Sequence, residues 1–290
     1  MGRHLLVVLL PLWCACAGNS APAGLVDGTT PSADGVPIHY QVRGEGEPTL
    51  VLVHGWMNDV GIWGQHPEAL SATYRVVSVD LAGHGGSGID RAEWTMEAFG
   101  DDVVAVVDAL DLDDVVLVGF SLGGIVVLEA AERMPERTLG VVFVDIFNDE
   151  DRAIDDTFPR QIEEAFRANW GDTAFIRAFA FSPDAPAELV QGVTASLPES
   201  PPEHFFRMLP DMSRWIQEEF EPTLRGIDAP VAAINSTRVP TDVEAMRELS
   251  PGFVLDTLEG LGHAGVLLRR TEAFDARLRA IVDRFAEAQG

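Results

Sequence analysis

One serine stands in a sequence context that could make it a nucleophile. Ser121 lies between Gly119 and Gly123 in the pattern Gly-x-Ser-x-Gly, after the apolar run 115–118 and before the helix formers of 125–133. A serine on a sharp strand-to-helix turn sits in strained backbone geometry, and side chains at the flanking positions would clash with neighbouring backbone. The turn exposes the hydroxyl and aims the free N–H groups of the helix N-terminus at an anion forming on a substrate. The same pattern also fits an ordinary N-cap serine at a glycine-lined turn.

A serine hydroxyl needs a base to remove its proton, and histidine is the usual base. The chain has seven histidines. His263 is the strongest candidate, because it lies in a Gly-Leu-Gly-His loop after the last predicted strand, on the same sheet edge as Ser121. His54 and His84 lie in glycine turns, where they could be structural. The others are predicted to lie in an N-terminal targeting segment or to be surface or filler residues: His4, His39, His66 and His204.

The elements that must position these residues alternate along the chain. Short apolar strands alternate with helical patterns, and this alternation predicts an α/β fold with a mostly parallel, doubly wound sheet covered on both faces. Ligands bind at the carboxyl ends of the strands in such sheets. Four polar residues directly follow predicted strands, and we expect them to gather along one edge of the sheet: His54, Asp80, Ser121 and Asp145.

Residues 147–226 interrupt the alternation. They are predicted to form several helices and contain nearly half of the aromatic residues of the chain. A helical insertion after a sheet strand lies over the ligand edge, so some of these aromatics must line a pocket while most hold the helices to the body. We therefore divide the chain into a core, 35–146 and 227–290, and a helical cap, 147–226, inserted after the strand that ends at Asp145.

The N-terminus has the features of a targeting segment. A basic start is followed by an apolar run too short to span a bilayer, and then by Ala15-Cys16-Ala17, which matches the small-x-small pattern for signal peptidase. We expect residues 1–17 to be a signal peptide, residues 18–34 to be a flexible lead, and the mature protein to be exported without a stable membrane span. A membrane anchor and a buried helix are the alternatives. Both cysteines lie in this segment, and Cys16 could carry a lipid anchor if it became the first mature residue.

The composition narrows the classes of partner. The formal net charge is −26, with 46 acidic and 20 basic residues, and every basic residue is an arginine. Nucleic-acid binding needs clustered cations for phosphate contacts, so this charge argues against a nucleic-acid partner. It also disfavours polyanionic substrates.

Four motifs in one order carry a family resemblance. They are the Val-Leu-Val-His-Gly-Trp of 51–56, the Asp-Leu-Ala-Gly-His-Gly-Gly-Ser of 80–87, the Gly-Phe-Ser-Leu-Gly-Gly of 119–124 and the Gly-Leu-Gly-His of 260–263. With these motifs the chain from residue 36 to the C-terminus resembles the α/β-hydrolase family, in which enzymes place a helical cap over the site.

The resemblance implies a site without a metal or an organic cofactor, acting on a small-molecule substrate. It implies Ser121 as the nucleophile and His263 as the general base. It also implies an oxyanion hole formed by the backbone N–H groups of Trp56 and Leu122.

The acid of the triad has two candidates. Many relatives place it in a pattern after the strand that corresponds to 231–234, and there Val239 occupies the expected acid position, with Asp242 three residues later as the predicted N-cap of a helix. Asp145 is the first choice, because it follows the strand after the nucleophile helix, where haloalkane-dehalogenase-like relatives keep their acid. The order Ser121, Asp145, His263 also preserves nucleophile, acid and base. Asp242 is the second choice.

The predicted reaction is hydrolysis of a small, largely apolar ester-like substrate through an acyl-serine. Two other reactions could use the same triad, namely carbon–carbon bond hydrolysis of a diketone-like substrate and cofactor-free perhydrolysis of carboxylic acids. A hypothesis from another functional class is that the protein is a non-catalytic binding module that keeps the pocket. The valine at position 239 is the feature that favours this hypothesis.

Overall fold

The computed structural model describes residues 24–147, 154–199, 201–238, 240–269 and 271–289. The predicted signal peptide, Cys16 and Val239 lie outside these residues. Across the described ranges, no helix is long and apolar enough to cross a membrane.

The core of the molecule is one sheet of eight strands in the order β1-β2-β4-β3-β5-β6-β7-β8. Strand β2 is antiparallel to β1 and β4, and all other neighbours pair in parallel. The predicted α/β fold with a mostly parallel, doubly wound sheet is confirmed. The strands are β1 Val26–Pro31, β2 Pro37–Arg43, β3 Thr49–Val53, β4 Arg75–Val79, β5 Val115–Phe120, β6 Thr138–Val144, β7 Val231–Ser236 and β8 Val254–Leu258.

Helices cover both faces of the sheet. The described helices are α1 His66–Leu70, α2 Met96–Ala109, α3 Leu122–Arg133, α4 Phe158–Ala168, α5 Thr173–Ala180, α6 Ala187–Ser196, α7 His204–Arg207, α8 Leu209–Glu218, α9 Phe220–Gly226, α10 Val243–Leu249, α11 Gly265–Leu268 and α12 Thr271–Gln289. One apolar core packs α2 and α3 on the sheet, and the other packs α1 and α12 on the opposite face. Because β3, β5 and β6 are buried along their whole length, they need apolar side chains on both faces.

Part of the predicted flexible lead is an ordered strand. Residues 26–31 form β1, which pairs along its length with β2, so the expected lead over 18–34 is wrong for this stretch. The strand contains Gly28 and Pro31, and most of its side chains are exposed. A proline is tolerated on an edge strand because no ladder hydrogen bond is needed on its outer side.

Helices α4 to α9 lie between β6 and β7 in the chain and are tied to the core by indole groups. The Trp215 indole N–H donates to the carboxylate of Glu129 on α3, which also pairs with Arg133. Burial raises the pKa of Glu129 above its ordinary value, although the hydrogen bonds from Trp215 and Arg133 oppose that rise. The Trp56 indole N–H donates to the Phe205 carbonyl at 2.7 Å. These bonds join the helical insertion to α3 and to the loop that follows β3.

Candidate active site

Ser121 lies at the turn between β5 and α3 with φ 52° and ψ −125°. This backbone conformation is rare for a residue with a side chain and stores strain. A Cβ on Gly119 would overlap with the backbone of Gly123, and a Cβ on Gly123 would overlap with the backbone carbonyl of Val53. The Gly-x-Ser-x-Gly spacing is therefore required by the close approach of α3 to the strand ends.

His263 lies in the loop between β8 and α11, at the same edge of the sheet. Its Nδ1 is 2.7 Å from Oδ2 of Asp145, and its ring stacks on Phe120 with 4.8 Å between centroids. An ionised carboxylate accepts only, so this bond assigns the proton to Nδ1 and leaves Nε2 as the free acceptor. A neutral imidazole in this tautomer can accept a proton at Nε2.

Asp145 follows β6 directly and is held from two sides. Its Oδ1 accepts the Ser236 backbone N–H at 2.6 Å, while Oδ2 accepts from His263. Burial alone would raise the pKa of Asp145, but the hydrogen bond and charge of His263 together with the Ser236 N–H lower it below the ordinary value. The residue has φ 49°. Asp145 is therefore a charged acceptor fixed against the histidine ring.

The end of β7 supplies a clamp that sequence reasoning missed. The Asn235 side-chain amide accepts from the N–H of Ile146 at 3.3 Å and donates to its carbonyl at 3.1 Å. This pair of bonds fixes the backbone immediately after Asp145. A polar Asn-Ser pair at the end of an apolar strand on the ligand edge is the sequence signal that could have indicated it.

Asp242, the second-choice acid, caps a helix. Its Oδ1 accepts the Ala245 backbone N–H at 3.0 Å at the start of α10. The carboxylate in contact with His263 is that of Asp145. Val239, at the position where the resemblance places the acid, lies outside the described residues.

The two residues expected to form an oxyanion hole lie beside Ser121. Trp56 follows β3, Leu122 is the first residue of α3, and both line the cavity that contains Ser121. In the described part of the chain, neither backbone N–H has a hydrogen-bond acceptor. Unpaired N–H groups at a helix N-terminus can stabilise a negatively charged oxygen.

The cavity at this edge has a volume of about 540 Å³. Ser121, Asp145 and His263 lie in its wall, and the rest of the wall is largely apolar and comes mainly from the inserted helices. The apolar part consists of Ile125, Ile146, Ile154, Phe158, Ile162, Phe179, Leu209, Met212 and Ile216. The polar part includes Asp155, Thr157, Gln161 and Arg238. Such a cavity fits a small organic substrate with an apolar portion.

The other described histidines act in structural contacts. His54 donates from Nδ1 to the Gly55 carbonyl at 2.8 Å and accepts at Nε2 from the Leu81 N–H, which orders the turn before Trp56. His66 was expected at the surface or as a filler residue but is fully buried. It bonds Asp275 at 2.6 Å and the Leu267 carbonyl at 2.9 Å, and so ties α1 to α11 and α12.

No group of three or more His, Cys, Asp or Glu side chains in the described ranges is arranged to hold a metal ion.

A family model described as the alpha/beta hydrolase fold matches residues 48–170. Curated relatives match over different lengths. The acetyltransferase component of the acetoin cleaving system of Pseudomonas putida is 35% identical over 105 residues, which are 36% of this chain and 28% of that protein. The chain thus spans under a third of that relative. A pimeloyl-[acyl-carrier protein] methyl ester esterase of Methylococcus capsulatus is 26% identical over 241 residues, which are 79% of this chain and 92% of that protein.

The fold is shared with solved structures. A thermophilic esterase from Thermogutta terrifontis superposes with a TM-score of 0.73 at 20% identity, covering 91% of this chain and 99% of that one. At this identity the likeness concerns the fold, and the chemistry must be argued from the site.

Proposed function

We propose that this chain, which has the α/β-hydrolase fold, is a serine hydrolase of small, largely apolar carboxylic esters. One observation carries the proposal. Asp145 and His263 are bonded at 2.7 Å in the wall of the cavity that also contains Ser121 on its strained turn. The methyl ester esterase relative supports an ester as the substrate class.

In the proposed mechanism His263 accepts the Ser121 proton at Nε2 as the hydroxyl oxygen attacks the ester carbonyl. The developing oxyanion is bound by the N–H groups of Trp56 and Leu122. His263 then protonates the departing alkoxide, and the acyl-serine forms. Water deprotonated by His263 attacks the acyl-serine, the bond from the acyl carbon to the Ser121 oxygen breaks, and His263 returns the proton to Ser121 as the acid is released. Asp145 holds the imidazole in its tautomer and stabilises the imidazolium that forms in each step.

The reading as a binding module loses its support. It relied on the valine at the acid position of many relatives, but the geometry at Asp145 supplies a carboxylate to His263 from the neighbouring strand. The strained conformation of Ser121 also favours a reactive role, since strain of this kind accumulates at functional sites.

The test is hydrolysis of p-nitrophenyl esters from acetate to octanoate by the wild type and by Ser121→Ala. We expect turnover by the wild type and a loss of at least about 1000-fold in the variant. A fluorophosphonate should label Ser121 stoichiometrically, as read by intact mass. Turnover that persists in Ser121→Ala would refute the proposal. Ring-cleavage diketones and a peroxide-dependent halogenation assay, run beside the esters, test the two rival reactions on the same triad.

We also propose that the protein is exported after cleavage behind Ala17, with Cys16 as the alternative lipid-bearing first residue. The apolar run and the small-x-small pattern support this. The mass of the N-terminal peptide from protein expressed with its full N-terminus decides between the two, and an uncleaved N-terminus would contradict both.

A further inference from the structure

Arg238 occupies a distinctive position beside the candidate active site. It follows β7 and lines the cavity that contains Ser121 and His263. It also lines a second cavity of about 1010 Å³, the outer groove, whose wall is formed by α5, residues 181–184, Thr237, Gly260 and Leu261. Of the lining residues that the structure describes, Arg238 is the one shared by both cavities. It therefore marks the point where the two spaces meet.

The Arg238 guanidinium is anchored but not neutralised. Nη1 donates to the Phe179 carbonyl at 3.0 Å, and the residue is exposed. A guanidinium carries five N–H groups, so four have no protein acceptor within the described part of the chain. No described carboxylate forms an ion pair with it, although the chain has 46 acidic residues. A planar, permanently charged fork with free donors suits a carboxylate.

The two carboxylates in the same cavity wall accept hydrogen bonds from other donors, and no ion pair with Arg238 is formed by either. Asp145 accepts from His263 and Ser236. The Asp155 Oδ1 accepts the Thr157 N–H at 2.8 Å and its hydroxyl at 2.6 Å, and these bonds lower the pKa of Asp155 below its ordinary value. Because neither carboxylate neutralises Arg238, the charge of Arg238 is available to a ligand.

We infer that Arg238 binds a carboxylate at the end of the substrate remote from the scissile ester, so that the substrate is an ester with an apolar middle and an anionic end. This rests on the proposed function. The apolar wall between the polar groups would contact the middle of such a molecule, and the Phe179 ring lies in that wall while its carbonyl anchors Arg238. The net charge of −26 repels anions at long range. A local arginine offsets this repulsion and can hold an anion at the site.

The test compares esters that differ only at the remote end. Monomethyl half-esters of C4 to C8 dicarboxylic acids are assayed in a pH-stat at pH 7.5 beside methyl alkanoates of the same chain lengths. The wild type should favour the half-ester in kcat/KM by about tenfold or more at its best chain length, as one charge-assisted hydrogen bond implies. Arg238→Gln should reduce that ratio to near one, mainly by raising KM for the half-ester.

Arg225→Gln is the matched control. Arg225 is also exposed, and its Nη1 also donates to a backbone carbonyl, that of Glu248 at 2.9 Å, but it lies on α9 outside both cavities. The ratio in this variant should equal that of the wild type. An equal loss in both variants would assign the effect to general surface charge and overturn the inference.

The remaining outcomes separate this inference from the proposed function. Hydrolysis of neutral esters without a preference for half-esters, or a preference for trimethylammonium esters, overturns the role of Arg238 and leaves the hydrolase intact. If the wild type hydrolyses no ester, calorimetry of adipate binding to Ser121→Ala still decides. Binding that Arg238→Gln abolishes supports the anion site, and the absence of binding to Ser121→Ala refutes it.

Discussion

Replacing Asp145 with asparagine converts one oxygen of the carboxylate that bonds His263 into an NH₂ group. In the wild type the carboxylate accepts the Nδ1–H of His263 at 2.7 Å and the Ser236 N–H at 2.6 Å. An asparagine keeps the shape but removes the negative charge. If its NH₂ group faces the ring, it stabilises the tautomer with the proton on Nε2, which cannot act as the base. We therefore expect Asp145→Asn to fold and to lose most of its turnover.

The magnitude follows from the charge that develops on the ring. When His263 takes the Ser121 proton, two opposite charges stand about 4 Å apart, which at an effective dielectric constant of about 20 is worth roughly 4 kcal/mol. The His263 side chain is 28% exposed, so solvent screens part of this. A loss of about 2 to 4 kcal/mol corresponds to a fall in kcat of roughly 30- to 1000-fold. The change should appear in kcat more than in KM, because Asp145 acts through His263.

The assay is p-nitrophenyl butyrate hydrolysis with active-site concentration set by fluorophosphonate titration and folding checked by urea denaturation. Asp242→Asn is the matched control, because it makes the same substitution at the N-cap of α10. It should cost up to about 1 kcal/mol of stability and leave kcat within about twofold. The reasoning is refuted if Asp242→Asn loses activity instead, or if Asp145→Asn keeps more than a third of the wild-type kcat.

Three further predictions concern the scaffold. Gly123→Ala should abolish turnover and destabilise the fold by at least about 2 kcal/mol in urea denaturation, because its Cβ would overlap with the β3 backbone. Gly192→Ala on α6 is the control: its Cβ meets nothing within 4 Å, so this variant should be about 0.5 to 1 kcal/mol more stable than the wild type in the same assay. Trp215→Phe should cost about 1 to 3 kcal/mol in urea denaturation by leaving a buried carboxylate without its indole donor. Trp170→Phe should cost less than about 1 kcal/mol, because the half-buried Trp170 donates its indole N–H to a loop carbonyl, at 2.8 Å, in a solvent-exposed hydrogen bond. Burial lowers the pKa of His84 well below its ordinary value of 6.5. Between the lowered pKa of the folded chain and 6.5, His84 binds a proton in the unfolded chain but not in the folded chain, so stability rises with pH. The free energy of unfolding of the wild type should fall as the pH drops below about 6.5, by up to about 1.4 kcal/mol per pH unit for this group. His84→Gln should flatten that slope, and an unchanged slope would contradict the assignment.

The sheet could be predicted because its inner strands are buried on both faces. Strands such as β3 and β5 must be continuous apolar runs, and such runs are visible in sequence. Strand β1 was not predicted, because it has no continuous apolar run. It is an edge strand with exposed side chains, a glycine and a proline, and it is ordered by pairing with β2 instead of by its own apolar pattern.

The site was predictable as far as strand ends determine it. The carboxyl ends of parallel strands meet, so Asp145 could be paired with a histidine 118 positions later without any local signal joining them. The roles of Ser121, His263 and Asp145 remain predictions for the assays above. The Asn-Ser pair at the end of β7 signals a polar role at the ligand edge, but the partner of Asn235 and the burial of His66 were not predictable. Each depends on hydrogen bonds to residues 89 to 209 positions away that no local pattern encodes.

The position of the proposed acid, Asp145, gives the polar residues at the end of β7 a role. Strands β6 and β7 are parallel neighbours, with Val144 opposite Ile234, so their carboxyl ends deliver side chains to nearly the same place. A carboxylate that follows either strand can therefore meet a histidine from the loop after β8. In this chain the carboxylate follows β6, and the end of β7 instead supplies the Ser236 N–H and the Asn235 amide that hold it. A valine at position 239 is then compatible with the proposed triad, because Asp145, which follows the neighbouring strand, supplies the carboxylate that contacts His263.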